Sequence, residues 1–179
     1  MTNTRGKKEM NFKIGIIFFS FLFASFGYSS EKEALLAIKG LGTNLKKELK
    51  KALKISAVNA VEKCKIKASK ITALAAKKGI TVGRVSRENR NPKNIPKEWM
   101  EKYIEAFHKK EIEKKYLTVS ISKDKMGLLM PIKTMPVCLK CHGENISTGV
   151  SEKINSLYPK DKAVGYTVGQ IRGFFWAEY

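Results

Sequence analysis

From Leu45 to Ala75 the apolar residues Leu53, Ala57, Val61, Cys64, Ala68, Ile71 and Ala75 recur at spacings of four, four, three, four, three and four, while lysines fill much of the remaining surface. That period lays one apolar stripe along a helix. Thr43 suits its N-cap, and Gly79, behind Lys77 and Lys78, suits its end. Unbroken from Asn44 to Lys78, the helix would be about 50 Å long at 1.5 Å per residue. A small core cannot cover that length, so the excess points toward a partner, a membrane surface or a homodimer formed through the helix.

Beyond Gly79 the period shortens. Ile80 to Ser86 is β-branched and reads as a strand, and Arg87 to Pro96, with two prolines, reads as a loop. Pro96 fits the first turn of a helix in which Trp99, Tyr103 and Phe107 repeat every four residues to about Glu113. Leu117, Val119 and Ile121 alternate with polar residues, Lys123 to Gly127 turns the chain, and Leu128 to Ile132 returns, which predicts a hairpin. Gln170 to Tyr179 reads as a last apolar, aromatic strand. The sum is an α+β chain with an antiparallel sheet.

The N-terminus carries an address rather than a fold. Arg5, Lys7, Lys8 and Lys13 precede an uncharged apolar run from Ile14 to Phe26, followed by small and polar residues up to Glu31. This is the layout of a secretory signal, and the run is shorter than the ~20 residues of a comfortable membrane span. Residues 1–29 are therefore expected to be a signal peptide, or an uncleaved N-terminal anchor, and the body to be periplasmic or otherwise extracytoplasmic.

Composition narrows the function classes. A chain of 179 residues with 43% hydrophobic residues makes one folded domain, here residues 30–179. Lys and Arg number 35 against 16 Asp and Glu, a formal charge of +19, and the body beyond Ser30 keeps an excess of sixteen. In the cytosol such a charge suggests nucleic acid; outside it, an acidic protein partner or an anionic membrane surface is expected instead, with no nucleic acid, the plain alternative being a solvated lysine coat. Three cysteines are too few for a disulfide scaffold and cannot all pair within one chain.

The chemistry lies in Cys138-Leu139-Lys140-Cys141-His142. Attachment of a c-type haem needs two thiols spaced to reach both vinyl groups, with an imidazole next to them as axial iron ligand, and Cys-x-x-Cys-His supplies all three. Extracytoplasmic attachment agrees with the export signal. A thioredoxin-like pair belongs soon after a first strand, whereas this motif lies far along the chain. A structural zinc site would need Cys64 and His108 to join the cluster. The expected cofactor is one haem c, covalent through Cys138 and Cys141, with His142 as proximal ligand.

Further marks appear in order: Cys64 on the long helix, Gly83-Arg84-Val85-Ser86, Arg90-Asn91-Pro92-Lys93-Asn94-Ile95-Pro96 with Trp99, and Pro131-Ile132. After the haem motif and Gly143 come Tyr158 to Tyr166 and Gly169-Gln170-Ile171-Arg172-Gly173. With these the chain resembles, over about residues 50 to 178, the PAS-like single-haem c-type domain family, found alone or as the extracytoplasmic sensor part of histidine kinases. Val85, Met100 and Gln170 depart from its common pattern at positions that touch no haem ligand. The resemblance implies a PAS-like antiparallel sheet with a long N-terminal helix and covalently bound haem. It further implies Cys64 as second axial ligand and Arg84, Arg90 and Asn94 as contacts of the haem propionates or of packing. Tyr158, Asp161 and Tyr166 are expected to close the pocket or fix the loop after the motif.

The residues themselves leave the sixth ligand open. Ala60 and Ala68 flank Cys64 by four residues, so a flat ring could approach that face closely, while Met126, Met130, Met135 and His108 compete. The functional expectation is one-electron transfer with an acidic redox partner. The alternative is a haem-based redox or gas sensor acting through a separate transmitter protein. Catalysis such as peroxidase chemistry needs an open iron site, which a second strong ligand opposes.

Overall fold

The structure is a computed structural model that describes residues 1, 30–77 and 79–179; the expected signal or anchor segment, Met1 apart, lies outside the described residues. Helix α1 (Glu31–Leu53) starts at a capping box in which the Ser30 side chain accepts from the Glu33 N–H and the Glu33 carboxylate accepts from the Ser30 N–H. Helix α2 (Ala57–Ala75) follows, then strand β1 (Thr81–Val85), helix α3 (Glu98–His108), strands β2 (Leu117–Ser122) and β3 (Lys125–Lys133), short helix α4 (Leu139–His142), helix α5 (Thr148–Leu157) and strand β4 (Ile171–Glu178). No helix among the described residues is long and apolar enough to cross a membrane.

The 50 Å rod expected over residues 44–78 does not form. Lys54-Ile55-Ser56 breaks it, and Ser56 takes extended backbone to cap α2, its side chain accepting from the Asn59 N–H at 3.0 Å. A serine that satisfies an otherwise unpaired helix N–H favours a start over a continuation. Folding back also lets α1 and α2 pack on each other, so apolar residues of both helices are covered within the same chain. The stripe that predicted one helix therefore belongs to two, and the first begins well before Asn44.

The four strands form one antiparallel sheet in the order β1-β4-β3-β2. Side-chain alternation divides the core between its faces. On one face Ala34, Ala37, Ile38 and Leu41 of α1 pack against Val82, Leu128 and Ala177. On the other, Met100, Ile104 and Phe107 of α3 pack against Val85, Leu129 and Phe174. Phe174, Met100, Ile104, Leu128 and Leu129 are essentially inaccessible, and each such side chain stabilises by about 1.5–3 kcal/mol on burial. A third cluster, Val61 with Val150 and Ile154, fixes α5 to α2 and touches Cys141.

β4 contains one irregularity that matters below. Pro131 faces Phe174 but Lys133 faces Ile171, so β4 holds one residue more than β3 across this stretch. Such a bulge turns a side chain from one face of a sheet to the other. Gly173 sits in it at φ 157°, and a Cβ there would stand 2.7 Å from the Val85 carbonyl oxygen.

Candidate haem site

A cavity of about 610 Å³ lies between the α1–α2 pair and the sheet. Leu45, Leu49 and Leu53 line it from α1, and Ala60, Cys64, Ala68 and Ile71 from α2. Arg84, Met130, Ile132, Arg172 and Phe175 line it from the sheet side, and Cys138, Cys141 and His142 from the motif. Every predicted site residue is brought to this one space, Arg90 and Asn94 included. The volume lies within the ~300–1,000 Å³ of ordinary ligand pockets.

The motif is folded as a tight helical turn. Pro136 opens a 3₁₀ turn that runs into α4, the Met135 N–H approaches Cys138 Sγ at 3.4 Å, and Gly143 closes the turn by donating to the Leu139 carbonyl at 3.1 Å. A Cβ at Gly143 would stand 2.8 Å from that same oxygen, so glycine is required by close approach. Cys138 is buried, Cys141 is half-buried, and neither forms a disulfide. Burial pushes the Cys141 thiol pKa up.

His142 is held in one orientation. Its Nδ1 lies 2.7 Å from the Ala163 carbonyl oxygen, which only accepts, so Nδ1 carries the proton and Nε2 presents its lone pair. Burial above all, with repulsion from Arg172 and Arg90, lowers the pKa of the ring to about 3 despite the bond to Ala163. A neutral imidazole with its second nitrogen fixed by a carbonyl is the form that binds metal.

The loop after α5 supplies that orientation. Asp161 Oδ1 accepts from the Ala163 N–H at 2.9 Å, and Asp161 Oδ2 pairs with Arg90 Nη2 at 3.0 Å. The same Nη2 donates to the Cys141 carbonyl at 2.6 Å and lies 3.3 Å from that of Ala163. The Tyr166 and Gly165 N–H groups donate to the carbonyls of His142 and Gly143 at 2.9 and 3.1 Å. Asp161 and the main chain of Tyr166 thus fix the loop. Arg90, assigned by resemblance to propionates or packing, has Nη2 engaged within the protein. Asn94 lines the cavity, and its carbonyl accepts from the Ser86 N–H at 2.9 Å.

Cys64 faces the cavity from α2, accessible to solvent through it. Burial among its walls raises the thiol pKa, opposed by the positive charge of Arg84, Arg90 and Arg172. Of its competitors, Met130 and Met135 also line the cavity. His108 lies across the sheet, its ring edge-on to Phe174 with centroids 5.9 Å apart, and Met126 pairs with Ser120 and Tyr179 at the far end of β3. His108 therefore does not join the thiols, and among the described residues no three His, Cys, Asp or Glu side chains group to hold a metal ion by themselves. Arg172, in sequence only one residue of the Gly169–Gly173 mark, also lines the cavity, although plain alternation would place it on the face opposite Phe175.

The fold and the cavity define an α+β domain in which two thiols and an oriented imidazole share one cavity with three arginines. The chain belongs to the Tll0287-like family, whose model matches residues 28–177. Among solved structures, that of the cyanobacterial haem protein Tll0287 is similar, with a TM-score of 0.61 and 19% identity over 84% of this chain and 96% of that one. No curated protein matches.

Proposed function

We propose that this chain is an extracytoplasmic c-type haem protein that transfers single electrons. It would carry one haem through Cys138 and Cys141, with His142 and Cys64 as axial ligands in a PAS-like frame. The observation that carries the reading is the fixed imidazole: the 2.7 Å contact to Ala163 leaves Nε2 as a ready ligand one residue beyond two thiols in a haem-sized cavity. The described likeness to a solved haem protein supports it. Bound haem would supply a one-electron iron couple. The chain's own residues orient the imidazole, offer a thiol from α2, and exclude bulk water with Leu45, Leu49, Ile71 and Phe175.

The positive surface gives this reading a partner of opposite charge, an acidic redox protein. Electron exchange with it should slow as salt shortens the ~10 Å screening length at 0.1 M. A haem-based sensor working through a separate protein is the second reading. It is favoured by α2, of whose nineteen residues only Ala60 and Val61 are buried, so the Cys64 side is lightly held.

Expression with a c-type haem attachment system tests the proposal. The protein should have the mass of the mature chain plus one haem, retained in acidic acetone, and Cys64→Ala should lose a thiolate signature in absorption and EPR spectra and raise the midpoint potential. Haem-free protein would overturn the whole reading, and unchanged spectra would move the sixth ligand to Met130 or Met135. Rapid CO binding by the ferrous wild type would favour sensing over transfer.

A further inference from the structure

The sheet side of the cavity holds more positive charge than the chain neutralises. Arg84, Arg90 and Arg172 all line it. Asp161 answers Arg90 at 3.0 Å, with side-chain exposures of 5% and 14%. Among the described residues no carboxylate stands within ion-pair distance of Arg84 or Arg172, and Nε of Arg172 is buried without a hydrogen-bond partner. Glu88 lines the cavity from an exposed position and Glu48 from a half-buried one, and neither is paired with Arg84 or Arg172.

Tyr158, also on the cavity wall, is a phenol whose pKa burial raises further, so it supplies no negative charge. Burial, and then repulsion by Arg172, also weakens proton binding by Arg84. A guanidinium keeps its proton in proteins nonetheless, so two positive charges stand on the cavity wall with no carboxylate of the described residues paired to them.

We infer that Arg84 and Arg172 clamp the two propionate groups of the bound haem, while Arg90 belongs to the loop that holds His142. This rests on the haem reading above. Two unanswered guanidiniums match two carboxylates in number and sign, and the planar fork of arginine suits a carboxylate. The strands aim them by different means. Arg84 shares a cross-strand row with Phe175 and Met130 on the cavity face. Arg172 reaches that face through the β4 bulge, which needs glycine at position 173.

The test uses holoprotein whose haem content is verified by mass. Arg84→Met and Arg172→Met, singly and together, are compared with wild type by resonance Raman spectroscopy and by redox titration at several pH values. Each single variant should shift the propionate-bending band and make the midpoint potential fall as pH rises, because a propionate without its partner takes up a proton in the accessible range. The double variant should do so more strongly, and wild type should be nearly flat. Arg84→Lys and Arg172→Lys, which keep the charge and spare the fold, should shift the band with a weaker pH slope. Wild-type band and slope in all fully loaded variants would overturn the clamp alone. Failure of wild type to take up haem would overturn the haem reading and the clamp with it.

Discussion

The two walls of the cavity are built differently. The motif wall is tied by main-chain hydrogen bonds to residues 163–166 and by the nearly closed Arg90–Asp161 pair, so its imidazole has one place to be. The α2 wall is a lysine-coated helix with two buried residues, packed on α1 through Ile71 and Ala75 and fastened to α5 by Val61, by Lys65 donating to the Leu157 carbonyl at 3.1 Å and by the Lys153–Glu62 pair at 3.4 Å. Stability in a protein is local, and regions with few buried apolar contacts open first. In the proposed ligation His142 would stand on a rigid support and Cys64 on a yielding one, and loss of a ligand would begin at Cys64.

The contrast is most severely tested at Asp161. Asp161→Ala leaves Arg90 buried without its carboxylate and the Ala163 N–H without its acceptor, and should cost about 3–5 kcal/mol in denaturant unfolding. A loss below about 1 kcal/mol would mean that the motif wall is not held by this pair. Val61→Ala removes the apolar anchor of α2 on α5 and should cost about 1–2 kcal/mol, with faster hydrogen exchange centred on the α2–α5 contact.

A pH-dependent effect should appear in the sheet that supports both walls. Burial raises the Glu178 carboxyl pKa, but hydrogen bonds from Lys97, Trp99 and Lys125 outweigh it and hold it below the usual value. Its contribution is full above the ordinary carboxylate range and is lost as pH falls through the lower folded value. Unfolding free energy should thus drop on acidification below about pH 4.5 less steeply in Glu178→Gln than in wild type. The smallest effect belongs to the outer side of α2: Leu74 is 75% exposed, and Leu74→Ser should change stability by no more than about 0.5 kcal/mol. A larger loss there would show α2 to be held by something its buried residues do not reveal.

The motif wall was largely legible in the sequence and the other structural devices were not. Cys138, Cys141 and His142 announce themselves because their chemistry fixes their spacing, and the hairpin of β2 and β3 follows from strict alternation. The break at Ser56 was missed because the apolar period runs through it and only a cap argues against continuity. Ser30 and Glu33 do spell a capping box, a signal that could have placed the start of α1. α5 has a short stripe, Val150 and Ile154, too brief to stand out by period. Arg172 is hidden by a different cause: a bulge changes the parity of a strand, and parity is what a sequence reading of strands depends on.

The sheet order carries a consequence for how the molecule comes into being. β4 is the last of the described elements in the chain, yet it lies between β1 and β3 and contributes Arg172 and Phe175 to the cavity. During synthesis the thiols at Cys138 and Cys141 emerge before this strand exists, and β1 has waited for a neighbour since residues 81–85 were made. Pairings that close a loop of about half the chain, as β1 with β4 does, are slow to form. The nascent chain therefore passes through a stage in which the two cysteines are exposed on an unclosed sheet, and insertion of residues 171–178 is the event that shuts the chamber around whatever they have by then acquired.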